Sequence, residues 1–160
     1  MSEFINASLV IQLHVIAAVA AFLVGPIALI RKRRDIFHKI AGYIFVVGIV
    51  IAAFSSFFIF SIRMIGPFSP IHILSIVSLV SVSFALYSIK IKNIRAHKRS
   101  MWRLYSQAIG IAGLFAFLPG RLMNDMVPFF EPRIVFGIAV TCFLLIAAIV
   151  YRAARKELVG

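Results

Sequence analysis

Five long apolar runs separated by short polar segments dominate this 160-residue chain. The runs cover residues 6–30, 40–62, 70–89, 102–120 and 133–151. A helix needs about 20 apolar residues to cross the hydrocarbon core of a bilayer, and each run is close to that length. The pattern predicts an all-α integral membrane protein with five transmembrane helices, folded as a single domain over residues 1–160.

Composition and charge support a membrane protein and also predict how the chain is oriented in the bilayer. Hydrophobic residues make up 62% of the chain, against roughly 45–50% in soluble domains. The formal net charge is +12, and the cations concentrate in residues 31–39, 90–103 and 152–156, which are alternate connections. This asymmetry follows the positive-inside rule, so we expect the N-terminus outside and the C-terminus in the cytoplasm. The basic segments are thereby explained without nucleic acid as a partner.

The four histidines follow a repeated plan. The segments LHVIAAVAAFLVGPIALIRKRRDIFHK and IHILSIVSLVSVSFALYSIKIKNIRAHK each contain a histidine, an apolar span, a basic connection and a second histidine followed by lysine. The spacing between histidines is 24 residues in the first segment and 25 in the second. The plan predicts that the first four helices are a duplicated helix pair, arranged as a pseudo-twofold bundle with the fifth helix outside it.

The repeat predicts two layers of histidines. His14 and His72 lie 17 and 18 residues before the basic boundary, which at 1.5 Å per residue is about 25–27 Å from it. His38 and His97 both open a span at the basic side. A pseudo-twofold axis would bring His14 to His72 near the outer face and His38 to His97 near the inner face.

Ligand counting favours haem over a bare metal ion at these layers. A zinc site takes three or four protein ligands, but the chain has only five carboxylates, of which Asp35 alone lies close in sequence to a histidine. A b-type haem needs only two axial histidines. The single Cys142 offers no covalent haem attachment. We therefore predict two b haems, with the four histidines as metal ligands.

Other residues are candidates for contacts with these cofactors. Haem propionates require cationic partners, and Gln107 is a candidate contact for a quinone or a haem edge. The spacing of His14, Ala18, Ala21 and Gly25 has two interpretations, a flat surface for a macrocycle or simply close helix packing. Gly42, one turn after His38, is a small position at the inner site. The predicted propionate partners are Lys98, Arg99 and Arg103 inside, with Arg63 and Arg121 outside.

Three segments carry a family resemblance. RAHKRSMWRLYSQAIGIAGLFAFLPGRLM, LHVIAAVAAFLVGPIAL and FHKIAGYIFVVG resemble a bacterial family of predicted membrane proteins, domain of unknown function 2306. The resemblance implies a multi-pass protein, which we expect in the bacterial inner membrane, and it implies no particular activity.

The layout of four helices and four histidines is also similar to that of the ascorbate-reducible transmembrane di-haem cytochromes b. By position, that resemblance implies that His14 and His72 hold an outer haem and that His38 and His97 hold an inner one. This chain differs in placing His38 and His97 at the mouths of their spans, inside basic runs.

These observations lead to a functional hypothesis with two alternatives. We expect a di-haem b-type protein that passes electrons between a quinol or cytoplasmic reductant and an acceptor across the membrane. The alternatives are a transporter or assembly factor for a metal ion or haem, favoured by Asp35 beside His38, and a cofactor-free membrane interaction subunit. The expected partners are the lipid bilayer and a quinol or redox protein; homo-oligomerisation stays open.

Overall fold

A computed structural model describes residues 2–31, 33–59, 70–119 and 130–159. All regular secondary structure in these residues is helical, which confirms the all-α prediction. The elements are α1 Ser2–Ile5, α2 Leu9–Ile30, α3 Ile36–Ser56, α4 Pro70–Lys90, α5 Ile94–Leu104, a π-helical turn Tyr105–Ile109, α6 Gly110–Ala116 and α7 Pro132–Val159.

Three helices are long and apolar enough to cross a membrane. They are α2, α3 and residues Ile71–Lys90 of α4, and they correspond to the first three predicted spans. Large apolar side chains on all three are exposed on the protein surface, for example Leu23, Val47 and Val80. Such a surface suits lipid contact, because a helix that is apolar all round needs no water-facing side. In α7, the apolar stretch Pro132–Leu145 is shorter.

The connection between α4 and α5 is much shorter than the sequence suggested. We expected residues 90–101 to form a basic loop and the fourth span to begin at residue 102, but the helix begins at Ile94. Lys92 adopts a positive φ of 59°, and the amides of Lys92 and Asn93 bond to Ile89 and Ser88. This Schellman motif ends α4. Asn93 then caps α5 by accepting a hydrogen bond from the Ala96 amide, so only residues 91–93 form the turn.

The connection between α2 and α3 is organised around Asp35. Its carboxylate accepts the His38 backbone N–H at 3.0 Å and so caps the N-terminus of α3. The Arg31 guanidinium binds the same carboxylate through Nε, at 2.8 and 2.9 Å from its two oxygens, and also through Nη2. Asp35 and Asn93 are thus the N-cap residues of the two helices whose first turns contain the inner histidines, His38 and His97.

The described residues group into two units, and the larger one comprises Ala7–Ile109. In it, α2 packs on α3, α3 on α4 and α4 on α5, and the π-helical turn contacts both α2 and α4. These helical segments thus pack on one another in chain order. Of the predicted fourth span at residues 102–120, only the part up to Ile109 belongs to this unit. The bundle of four spans and its pseudo-twofold symmetry stay predictions. The buried core of the unit consists of Ala21, Phe45, Ile49, Val82, Ala85, Met101, Leu104 and Tyr105.

Small residues allow close approach inside this bundle. A Cβ on Gly48 would lie 2.9 Å from the backbone oxygen of Ala17, so α3 touches the backbone of α2 there. A Cβ on Gly25 would lie 2.6 Å from the Tyr105 ring. The Tyr105 hydroxyl also donates to the Phe22 carbonyl at 3.2 Å. Tyr105 therefore joins the π-helical turn to α2.

The other unit comprises the described residues within 1–6 and 110–160. Within it, α6 packs on α7. Gly110 is buried directly beneath the Phe143 ring, where an added Cβ would clash. The start of α7 at Pro132 agrees with the predicted start of the fifth apolar run at residue 133, and Pro132 suits the first turn of a helix.

Candidate functional site

His14 is attached to the C-terminal end of α3. Its Nδ1 lies 2.9 Å from the Ala52 carbonyl oxygen and 3.0 Å from Ser55 Oγ. Because a carbonyl oxygen can only accept, Nδ1 carries the proton that it donates to Ala52. The Nε2 atom of a neutral His14 is consequently the nitrogen with a free lone pair.

His72 lies at the same end of α3. It is only 4% exposed, and its ring packs against Phe57 with centroids 5.8 Å apart. One turn further along α4, Ser75 Oγ lies 2.6 Å from Ser56 Oγ, which joins α4 to α3. The structure thus brings both predicted outer histidines to the α3 segment from Ala52 to Phe57.

His97 is held across the turn between α4 and α5. Its Nδ1 donates to the Ala85 carbonyl oxygen at 2.9 Å. This bond repeats the arrangement at His14, in which Nδ1 donates to a main-chain oxygen of the adjacent helix. In metal-binding histidines the nitrogen that does not bind the metal commonly makes such a bond.

His38 lies in the first turn of α3, close enough to His97 for the two rings to interact electrostatically. Its Nδ1 is buried and makes no hydrogen bond to the residues that the structure describes. One turn later, a Cβ added to Gly42 would meet nothing within 4 Å, so this position is not packed against another side chain. The inner pair is therefore brought to the N-terminal end of α3.

The surroundings of His97 favour its neutral form. Burial lowers the pKa of His97 below its ordinary value of 6.5, and electrostatic repulsion from His38 and Arg34 lowers it further. The hydrogen bond to Ala85 acts in the opposite direction. Burial is the largest of these effects, so the ring favours the state in which Nε2 is available to a metal.

Asp35 has other partners than a metal. The Arg31 guanidinium, and after it the His38 backbone N–H, lower the pKa of Asp35 to about 2. Both carboxylate oxygens receive hydrogen bonds from Arg31. The sequence feature that favoured a metal transporter therefore has an explanation in helix capping and ion pairing. Among the described residues there is no group of three or more His, Cys, Asp or Glu side chains that could hold a metal ion.

The two histidine layers are separated by the middle of the bundle. From His38 to Ala52 along α3 is 14 residues, or about 21 Å. Phe45 and Tyr105 fill the space between, with ring centroids 6.0 Å apart. Ala21 and Gly25, two members of the predicted small-residue stripe, are buried there against Gly48 and Tyr105. That part of the stripe serves close helix packing, the second of its two interpretations.

The polar residues predicted to contact the cofactors do not all lie on the side of the bundle that carries the histidines. On α5 the residues His97, Met101 and Leu104 face inward, whereas Arg99 and Arg103 are exposed on the opposite side. Lys98, beside His97 in the sequence, is exposed at the flank. Gln107 lies in the π-helical turn with its side chain exposed. Arg63 and Arg121 lie outside the described residues.

The family comparison agrees with the resemblance in the sequence. Residues 11–155 match the family of predicted membrane proteins known as DUF2306. The chain belongs to this family. Searches of curated proteins and of solved structures gave no match.

Sequence reasoning missed the groups that orient the histidines. The Ala52 and Ala85 acceptors are main-chain oxygens, which no residue type marks. The role of Tyr105 was equally hidden, because it depends on the absence of a side chain at Gly25. The signal that could have revealed the α5 boundary was Asn93, a favourable N-cap residue nine positions before the predicted start of the span.

Proposed function

We propose that this protein is a di-haem b-type transmembrane electron-transfer protein. His14 and His72 would hold one haem, and His38 and His97 would hold the other. When bound, each haem supplies a one-electron redox centre. The protein then connects a quinol or cytoplasmic reductant to an acceptor on the other side of the membrane.

The arrangement of His14 and His97 carries this proposal. Each donates Nδ1–H to a main-chain oxygen of the next helix, at 2.9 Å. Such a bond fixes the tautomer and leaves Nε2 to bind iron. One histidine in each layer is therefore already oriented, and each layer contains a second histidine.

The donor set also fits haem better than a bare ion. Each layer offers two imidazoles without a third ligand among the described side chains, and haem requires only two axial ligands. The packed middle of the bundle, formed by Phe45 and Tyr105, leaves the two ends for cofactors. At the inner end, Gly42 is not packed against another side chain.

The chain's other residues have supporting roles in this proposal. Lys98 and Arg34, near His97, are the inner cations best placed to pair with a propionate, since Arg99 and Arg103 lie on the other side of α5. Gln107, exposed on the π-helical turn, remains a candidate for contact with a quinone. Arg63 and Arg121 are proposed for the outer propionates from the sequence alone.

The membrane arrangement belongs to the same proposal. It comprises five spans in a bacterial cytoplasmic membrane, with the N-terminus outside and the C-terminus inside. It is supported by three long apolar helices and by the concentration of cations between α2 and α3 and, after α4, in the turn and in α5.

An absorption spectrum tests the haem proposal directly. Purified full-length protein, expressed with haem available, should show a Soret band, a dithionite-reducible alpha band and two haems per chain. His14→Ala or His72→Ala should leave one haem, and so should His38→Ala or His97→Ala. Thr141→Ala, at an exposed position of α7, should keep two. Protein without a Soret band, or two haems in every histidine variant, would refute the proposal.

A cofactor-free membrane subunit is the second candidate. It is favoured by the two bonds from His14 to α3, because His14 Nδ1 contacts both Ala52 and Ser55 as an ordinary helix-to-helix hydrogen bond would. Haem-free protein whose melting temperature falls in His14→Ala would support this candidate. Metal found in equimolar amount without haem would instead support a metal-handling protein.

A further inference from the structure

Three arginines form a column on the outer side of α5. Arg95, Arg99 and Arg103 follow one another at intervals of four residues, about one helical turn, and all three are exposed. We call them the arginine stripe. The opposite side of α5, with His97, Met101 and Leu104, faces the bundle. The stripe therefore points away from the proposed inner haem.

The stripe lies at the level where the apolar surface meets the basic connections. Tyr105 contacts Gly25 on α2, and six residues later α2 reaches Arg31. On α5, Arg103 lies two residues before Tyr105 and Arg95 lies ten residues before it. The stripe therefore covers about 12 Å of helix, toward the end of the bundle where α2 reaches Arg31. The long arginine side chains can reach from the apolar edge to the headgroup region.

The two basic segments of the chain contain almost no negative charge. Residues 31–39 and 90–103 contain eleven cations and one carboxylate, Asp35. That carboxylate is held by Arg31. Arginines four residues apart on one helix side repel each other, which destabilises the helix. An anion from outside the chain would relieve this repulsion.

Trp102 adds an interfacial anchor to the same side of α5. It lies between Arg99 and Arg103 in the sequence and is half-buried. Tryptophan prefers the boundary between hydrocarbon and headgroups. Ile91 and Ile94, at the tip of the turn, are 53% and 45% exposed, so apolar contact is available next to the charges.

We propose that the arginine stripe binds the phosphate groups of anionic phospholipids. The planar guanidinium makes paired hydrogen bonds to phosphate oxygens, and three guanidinium groups in a column match the headgroup layer. A basic helix side with an adjacent tryptophan suits such a surface. This assignment is independent of haem binding and applies to the haem-free protein.

The fluorescence of Trp102, the sole tryptophan of the chain, can measure which lipids lie next to the stripe. The full-length protein is reconstituted in phosphatidylcholine vesicles with a rising fraction of phosphatidylglycerol brominated near the headgroup. Matched vesicles carry brominated phosphatidylcholine instead. Quenching of Trp102 fluorescence should saturate at a much lower fraction of the anionic lipid, because that lipid accumulates at the stripe. High salt should reduce the preference by screening.

Two sets of variants distinguish lipid binding at the arginine stripe from a general effect of the protein's positive charge. Arg95→Gln/Arg99→Gln/Arg103→Gln should weaken the relative affinity for phosphatidylglycerol at least tenfold, since ~1 kcal/mol for each cation is about fivefold. Arg133→Gln/Arg152→Gln removes charge elsewhere and should leave the preference unchanged. Quenching by brominated phosphatidylcholine should be equal in all variants, which verifies insertion.

Two results would overturn the assignment. One is equal quenching of the unmodified protein by both brominated lipids. The other is loss of the anionic preference on addition of millimolar inorganic phosphate at constant ionic strength, which would indicate a site for a soluble anion.

Discussion

His97 donates its Nδ1–H to the main-chain oxygen of Ala85 at 2.9 Å, across the three-residue turn between α4 and α5. The bond ties the first turn of α5 to α4 and fixes which imidazole nitrogen carries the proton. His38 and Arg34 lie close enough to lower the pKa of the same ring by electrostatic repulsion.

The first prediction concerns the charge of His97. Its folded-state pKa lies below 6.5, so His97 should still be neutral at a pH where a free histidine is half protonated. Arg34→Gln should raise the pKa of His97 by removing a nearby cation. Arg33→Gln is the matched control, since Arg33 is exposed and not among the groups that shift His97.

Nitrogen-15 NMR of histidine-labelled, haem-free protein measures this titration. The linked stability effect has a definite sign: because the folded state binds the proton less readily, His97 should favour folding above about pH 6.5 and lose that contribution as the pH falls. An unshifted pKa in Arg34→Gln would contradict the assigned proximity.

The second prediction tests the contact between Gly25 and Tyr105. A Cβ at residue 25 would lie 2.6 Å from the tyrosine ring, so Gly25→Ala should destabilise the bundle by about 1–3 kcal/mol through overpacking. Gly42→Ala, where nothing lies within 4 Å, should instead be neutral or stabilise by up to about 1 kcal/mol.

Thermal melting in detergent compares the two glycine variants. Adding Tyr105→Leu to Gly25→Ala should recover part of the loss, because the smaller flexible side chain leaves room for the Cβ. Equal melting temperatures for Gly25→Ala and Gly42→Ala would contradict the packing described here.

The third prediction concerns the turn residue Lys92. Its φ of 59° is unfavourable for a residue with a Cβ and easy for glycine. Lys92→Gly should therefore raise stability by up to about 1 kcal/mol. Lys90→Gly, two residues earlier and still within α4, should lower stability by about 0.5–1 kcal/mol. Melting temperatures that shift in the same direction in both variants would argue against the Schellman motif.

The fourth prediction concerns acid sensitivity at Asp35. Its pKa is about 2 in the folded protein against an ordinary 3.8, so its contribution to stability should be full above about pH 4 and lost between pH 4 and 2. Asp35→Asn should retain the N-cap but remove this pH dependence, and Asp35→Ala should also lose the cap. Melting curves recorded across this pH range distinguish the two variants.

The levels of the four histidines in the bundle could be predicted from the sequence, because they depend on spacing along the helices. The repeated interval between histidines placed His14 and His72 at one end of the bundle and His38 and His97 at the other. Helical rise alone relates such positions, whatever the details of packing. The limits of α5 did not follow, because the basic residues that indicated a loop are compatible with an exposed helix side once Asn93 supplies a cap.

The sequence by itself determined the helical, membrane-type character of this protein, since long apolar runs have few other stable structures. It also determined the two histidine levels. The tertiary structure decided which imidazole nitrogen of these histidines is available to a ligand. Nδ1 of His14 and of His97 is hydrogen-bonded to the carbonyl oxygens of Ala52 and Ala85, which are 38 and 12 residues away. The tertiary structure also assigned the small residues to close packing and turned Arg95, Arg99 and Arg103 outward, since only contacts between helices distinguish an inner side from an outer one.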